Sequence, residues 1–151
     1  MSQTRRPHRA IAERVKTLRQ GRGWSARELA DEMVKVGIPW DRSIVANLET
    51  GRRASVSVEE FLALAYVLDV APVNVLVPTE SDVTEFEPVQ GQVVDPMTAR
   101  EWIRGRQPIG DQNMDTYFSK IAGSDFVSIY GALKKAQEAR ARAAGGDDGN
   151  G

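Results

Sequence analysis

Residues 42–53 read Arg-Ser-Ile-Val-Ala-Asn-Leu-Glu-Thr-Gly-Arg-Arg. Their side chains suit hydrogen-bond recognition rather than covalent chemistry. An arginine can donate two parallel bonds to guanine O6 and N7, and an asparagine can pair with adenine N6 and N7. If the stretch is helical, Arg42, Ser43, Ala46 and Asn47 share one side. Val45 and Leu48, three apart, face the other way with Ile44 beside them. Asp41 is a good N-cap, because its carboxylate accepts the free amides of the first turn. Gly51 supplies the left-handed residue that stops such a helix, and Arg52 and Arg53 follow at once. The outward face thus carries donors and acceptors without acids, and its exit carries positive charge. A helix that lies in a DNA major groove needs that combination. A purely structural helix can show the same pattern.

Other chemistries find little material. There is no cysteine, which excludes disulfides and thiolate metal sites. His8 is the only histidine and has no partner at ligand or catalytic spacing. Asp111, Asp115 and Asp125 lack the glycine and terminal glutamate of a calcium loop. Gly21, Arg22 and Gly23 lack the lysine of a phosphate-binding loop. No enzyme, metal or cofactor is expected. No apolar run approaches the ~18 residues of a membrane helix. The N-terminus has charges without a following apolar stretch, so neither a signal peptide nor a membrane partner is expected.

The net charge of -1 hides an asymmetry. Residues 1–78 carry 12 Lys and Arg against 9 Asp and Glu, and residues 79–151 carry 8 against 12. A basic front and an acidic rear suit a nucleic-acid-binding head with a second module that avoids phosphate. Ordinary surface charge with an acidic linker is the blander alternative.

The elements that must position residues 42–53 follow from periodicity. A first helix over 9–20 places Ile11, Val15 and Leu18 on one stripe. A second over 25–36 opens on Ser25 with Glu28 three residues on, a capping box, and lines its apolar side with Leu29, Ala30 and Met33. Gly37 ends it, Pro39 and Trp40 lead into Asp41, and Trp40 is expected to fill core. Ser57 and Glu60 cap a fourth helix whose expected apolar stripe is Phe61, Leu62, Leu64, Ala65 and Leu68, and Pro72 opens a short fifth. Residues 1–7 suggest a mobile basic arm, in which Arg5 and Arg6 could reach a phosphate or a minor groove.

The pair of helices over 25–36 and 42–50 resembles the helix-turn-helix of the lambda-repressor-like domain, the XRE/Cro family. Ser25, Glu28, Leu29 and Ala30 carry the match on one helix, and Val45, Leu48, Glu49, Gly51 and Arg52 on the other. The resemblance covers about residues 9–78. It implies a five-helix DNA-binding domain, with base reading by Arg42, Ser43, Ala46 and Asn47. It also implies phosphate contacts from Ser25, Arg27, Thr50, Gly51, Arg52 and Arg53, and an Arg19–Glu49 pair bracing the reading helix against the first. The alternative for each residue is simple solvent exposure. Ala26 stands where the family usually has glutamine, with Arg27 as a substitute donor along another vector. The turn over 34–40 is about five residues longer than usual, which affects the tilt of the reading helix.

Residues 79–96 hold five acids, two prolines and no base, and read as a linker. Beyond it, helices are expected over 96–106 and from Ser124, with Tyr117, Phe118 and Ile121 as a small apolar cluster between them. Phe126, Ile129 or Tyr130, Leu133, and Ala136 or Gln137 make a stripe that either closes a subdomain or meets its twin. From about Arg142 the composition suggests disorder. The expected fold is all-α: residues 1–78 a helix-turn-helix domain, 79–96 a linker, 97–143 a helical dimerisation or effector region, and 144–151 a disordered tail. The expected function is that of a cytoplasmic, nucleoid-associated transcriptional regulator, a repressor by the bias of the family, binding double-stranded DNA as a homodimer. The alternative is an antitoxin or protein-interaction adaptor using the C-terminal region. A third reading makes Trp102, Tyr117, Phe118 and Phe126 the lining of a small-molecule effector site, although such clusters more often form core.

Overall fold

The computed structural model describes residues 4–120 and 123–145. The chain divides into two compact units, one up to Arg100 and one from Glu101 onward.

Five helices build the first unit: α1 (Pro7–Gly21), α2 (Ala26–Lys35), α3 (Arg42–Glu49), α4 (Val58–Val67) and α5 (Pro72–Leu76). Each boundary has a local cause. Pro7 and Pro72 occupy the first positions of α1 and α5, where a missing N–H costs nothing. Ser25 and Ser57 close full capping boxes with Glu28 and Glu60. Gly37, at φ +85°, ends α2, and the Ile38 amide reaches back to the Met33 carbonyl at 3.0 Å. The apolar stripes converge on one core in which Val15, Leu29, Met33, Val45, Leu48, Leu64 and Val75 are buried. Trp40 joins them, so the longer turn between α2 and α3 is pinned by the residue expected to pin it.

The chain departs from a strictly all-α fold at the acidic stretch. There β1 (Phe86–Val89) and β2 (Gln92–Val94) form an antiparallel hairpin, with Phe86 opposite Val94. The turn uses Gly91 at φ +81°, whose amide donates to the Glu87 carboxylate at 2.8 Å. Four strand residues are too few for a clear alternation, and the acids disguised a buried anchor: Phe86 is fully enclosed. The N-terminal segment is also tied down. The Arg5 amide donates to the Glu85 carbonyl at 3.1 Å, and the Glu87 amide donates to the Arg5 carbonyl at 2.8 Å. Arg6 pairs with Glu87 at 2.9 Å, so residues 4–6 form an edge beside the hairpin rather than a loose arm. Helix α6 (Pro96–Ile103) follows, its first turn capped by Asp95. Arg100 on α6 donates to Asn74 Oδ1 and to the carbonyls of Val77 and Pro78, which fastens α6 to the end of α5.

The second unit contains α7 (Met114–Ser119) and α8 (Gly123–Gly145). Asn113 caps α7. Phe118 is fully buried, edge-on to Tyr117 at 5.0 Å and to Tyr130 at 5.7 Å. The Tyr117 hydroxyl donates to the Trp102 carbonyl, and burial pushes its pKa up. These contacts give Tyr117 and Phe118 the role of core. Ile121 and the side chains of Ser124 and Phe126 lie outside the described residues. Ile129, Tyr130 and Leu133 are half-buried, whereas every residue from Lys134 to Gly145 is exposed. The helix runs past Arg142, where composition alone suggested order would stop; residues 146–151 lie outside the described residues.

Candidate nucleic-acid interface

Helix α3 is held from below and left open above. Val45 and Leu48 are fully buried, while Arg42, Ser43 and Ala46 are exposed and Asn47 is half-buried. All four expected base-reading residues therefore share the outward side. Asp41 caps the helix, its Oδ1 accepting from the Ile44 amide at 2.9 Å and the Ser43 hydroxyl at 2.7 Å. Those bonds, that of Ser43 first, lower its pKa. Ser43 thus spends its proton locally and keeps only lone pairs to offer.

At the exit, Gly51 adopts φ +77°, the left-handed conformation expected of it. The amides there are already used. That of Thr50 donates to the Ala46 carbonyl at 3.0 Å and that of Gly51 to Leu48 at 3.1 Å. The Thr50 hydroxyl also turns back on Ala46, at 2.8 Å. Neither amide is therefore open to an anion at this exit.

The structure brings Arg19 and Glu49 together as a pair. Arg19 on α1 meets Glu49 with two bonds, Nε to Oε1 at 2.6 Å and Nη2 to Oε2 at 2.8 Å. Its third group, Nη1, donates to the Trp24 carbonyl at 2.6 Å, one residue before the cap of α2. The side chains are 12% and 8% exposed, so the pair works at low dielectric. The Glu49 carboxylate raises the Arg19 pKa. One guanidinium thereby fixes the end of α3 and the start of α2 against α1.

The other expected contacts divide. Ser25 uses its hydroxyl to accept the Glu28 amide at 3.1 Å. Arg27 and Arg52 are exposed, and neither side chain has an ion pair or hydrogen bond among the described residues. Arg53 turns inward: Nη2 donates to Glu60 at 2.7 Å and the guanidinium lies 5.3 Å over the Trp40 ring. Glu60 is the residue that sequence reasoning undervalued. Beyond its cap bond to the Ser57 amide, its Oε1 also accepts from Trp40 Nε1 at 2.9 Å. It therefore ties the long turn to the exit of α3. Burial works against its charge, but the bonds from Arg53, Ser57 and Trp40 prevail and lower its pKa. Only the capping role was visible in the spacing of Ser57 and Glu60.

Residues 10–76 match a family model described as a helix-turn-helix domain. The match opens within α1 and closes on the last residue of α5. The first unit carries a helix-turn-helix domain. The match supports DNA as a partner and points to transcription regulation as the class of function. Comparison with curated proteins finds no match, and neither does comparison with solved structures. Among the described residues no cluster of carboxylates and imidazoles could hold a metal ion. No helix among them is long and apolar enough to cross a membrane.

Proposed function

We propose that the chain is a sequence-specific transcriptional regulator of the XRE/Cro type. It lays α3 in the major groove and represses by occupying a promoter. The supporting observation is the division of arginines within the helix-turn-helix domain. Arg14, Arg19, Arg22 and Arg53 are all committed to carbonyls or carboxylates. Arg27, Arg42 and Arg52 are exposed and uncommitted, at the start of α2, the start of α3 and the exit of α3. In this reading Arg42 and Asn47 read base edges, with Ser43 accepting and Ala46 meeting a thymine methyl. Arg27 and Arg52 hold phosphate, with Ser25, Thr50 and Gly51 shaping the surface. Arg53 acts through Trp40 and Glu60, as a support for the exit rather than a direct contact.

One α3 offers few base contacts, so the working unit is a homodimer on an inverted repeat, with half-sites one helical turn or a multiple apart. Residues 97–143 are assigned to dimerisation or to binding an effector or protein partner. In the same reading 79–96 join them to the domain, 144–151 form a tail, and the protein works on the nucleoid in the cytoplasm. Selection of bound duplexes from a random-sequence pool tests this, at a stated near-physiological salt. An enriched inverted repeat is expected. Arg42→Ala should lower specific binding by about 1–3 kcal/mol and relax one base position. Bulk, salt-sensitive binding without enrichment would instead favour the antitoxin or adaptor reading.

A further inference from the structure

Between the start of α1 and the exit of α3 lies a cavity of about 220 Å³, lined by His8, Arg9, Ala12 and Glu13 on one side and Glu49, Thr50 and Gly51 on the other. It is far larger than the ~30 Å³ share of one water. Two carboxylates on its wall would ordinarily repel an anion, but both are neutralised. Glu49 is held by Arg19, and Glu13 is held by Arg5 at 3.0 Å and by Arg9 at 2.9 Å. Arg5 and Arg19, outside the lining, balance the two carboxylates and leave the charge of Arg9 in excess.

Arg9 is the informative residue. Only its Nε is spent on Glu13, and its side chain remains 61% exposed. Its two terminal nitrogens have no bond among the described residues. Glu13 thus aims the guanidinium and leaves the fork that suits a phosphate's paired oxygens. His8 stands exposed beside it. The amides of Thr50 and Gly51 are committed within the α3 exit, so neither is free to hold an anion in the cavity. Donors from α1 take their place.

We propose that this cavity seats a backbone phosphate of duplex DNA, held by Arg9 with His8 at its side. The interface would then extend from the helix-turn-helix pair onto the first helix. The proposal rests on the DNA-binding reading above.

The test is the salt dependence of binding by the full chain to a short duplex, in the wild type, Arg9→Ala, Arg9→Lys and Lys16→Ala. Lys16 is exposed on α1 beyond the cavity, so its loss removes the same charge without the seat. Each phosphate contact contributes about 0.9 to the log–log slope. Raising salt from about 50 to 200 mM should therefore cost the wild type about 3.5-fold more affinity than Arg9→Ala. Arg9→Lys should keep most of the slope, and Lys16→Ala should match the wild type. Unchanged thermal melting checks that Arg9→Ala remains folded. Equal slopes for wild type and Arg9→Ala, or equal losses from Arg9→Ala and Lys16→Ala, would overturn the seat while leaving DNA binding intact. Saturable perturbation of the His8 ring by inorganic phosphate, without any slope change in Arg9→Ala, would assign the cavity to a free ion and overturn it as well. A wild type that binds no duplex would remove the underlying reading, and the seat with it.

Discussion

Glu49→Ala strips the Arg19 guanidinium of its partner while leaving it in place. The size of the effect follows from exposure. A pair open to solvent is worth about 0–1 kcal/mol, because water and salt screen it. Here the side chains are 12% and 8% exposed, and two of the three arginine bonds end on Glu49. Removing one member of an enclosed pair typically costs about 3–5 kcal/mol, because the remaining charge keeps its desolvation penalty. The lower end applies, since Arg19 keeps its bond to the Trp24 carbonyl. A loss of about 3 kcal/mol would lower the folded-to-unfolded ratio more than a hundredfold. The assay is urea unfolding followed by tryptophan fluorescence, in a Trp102→Phe background so that Trp24 and Trp40 report on the helix-turn-helix domain. The midpoint should fall with little change in m. Arg19→Met with Glu49→Leu should recover most of the loss, because it removes both charges. A single-mutant loss below about 1 kcal/mol would show that the pair behaves as a surface bridge. A double mutant as weak as Glu49→Ala would trace the loss to packing instead of the orphaned charge.

Other perturbations probe other supports. Glu60 has a folded pKa below its ordinary value, so its contribution is present above the unfolded value of about 4.3 and disappears as pH falls through the folded one. Acid unfolding of Glu60→Gln should therefore be flatter below about pH 4.3 than that of the wild type, and parallel curves would contradict the Trp40–Glu60–Arg53 linkage. Phe86→Ala should cost about 3–5 kcal/mol in denaturant melts, as expected for emptying a fully enclosed aromatic site, whereas a near-neutral result would make the hairpin a bystander. At Gly51 an added Cβ meets nothing within 4 Å, so Gly51→Ala is limited by its positive φ alone. A loss of about 1–2 kcal/mol in thermal stability is expected, and stabilisation would show that the left-handed turn is not retained.

Local chemistry was enough to read the helices of the first unit from the chain, and resemblance joined two of them into a helix-turn-helix. Capping boxes at Ser25 and Ser57, the left-handed glycines Gly37 and Gly51, and stripes at spacings of three and four each act within one or two turns. The side of α3 that faces outward followed from the same spacing, and the enclosure of Trp40 matched the expectation for a large aromatic in the turn. The Arg19–Glu49 contact spans 30 residues, and its expectation came from resemblance; distances within the folded chain established the pair. The hairpin depends on a long-range partner, the segment at Arg5, and on a core position for Phe86 that no local pattern encodes. Tertiary structure alone decided which arginines remain available. Arg52 and Arg53 are adjacent and chemically identical, yet one is open to solvent and the other lies folded between Trp40 and Glu60. Charge on a side chain belongs to the sequence, but whether that charge is already spent depends on what folding places within reach of it.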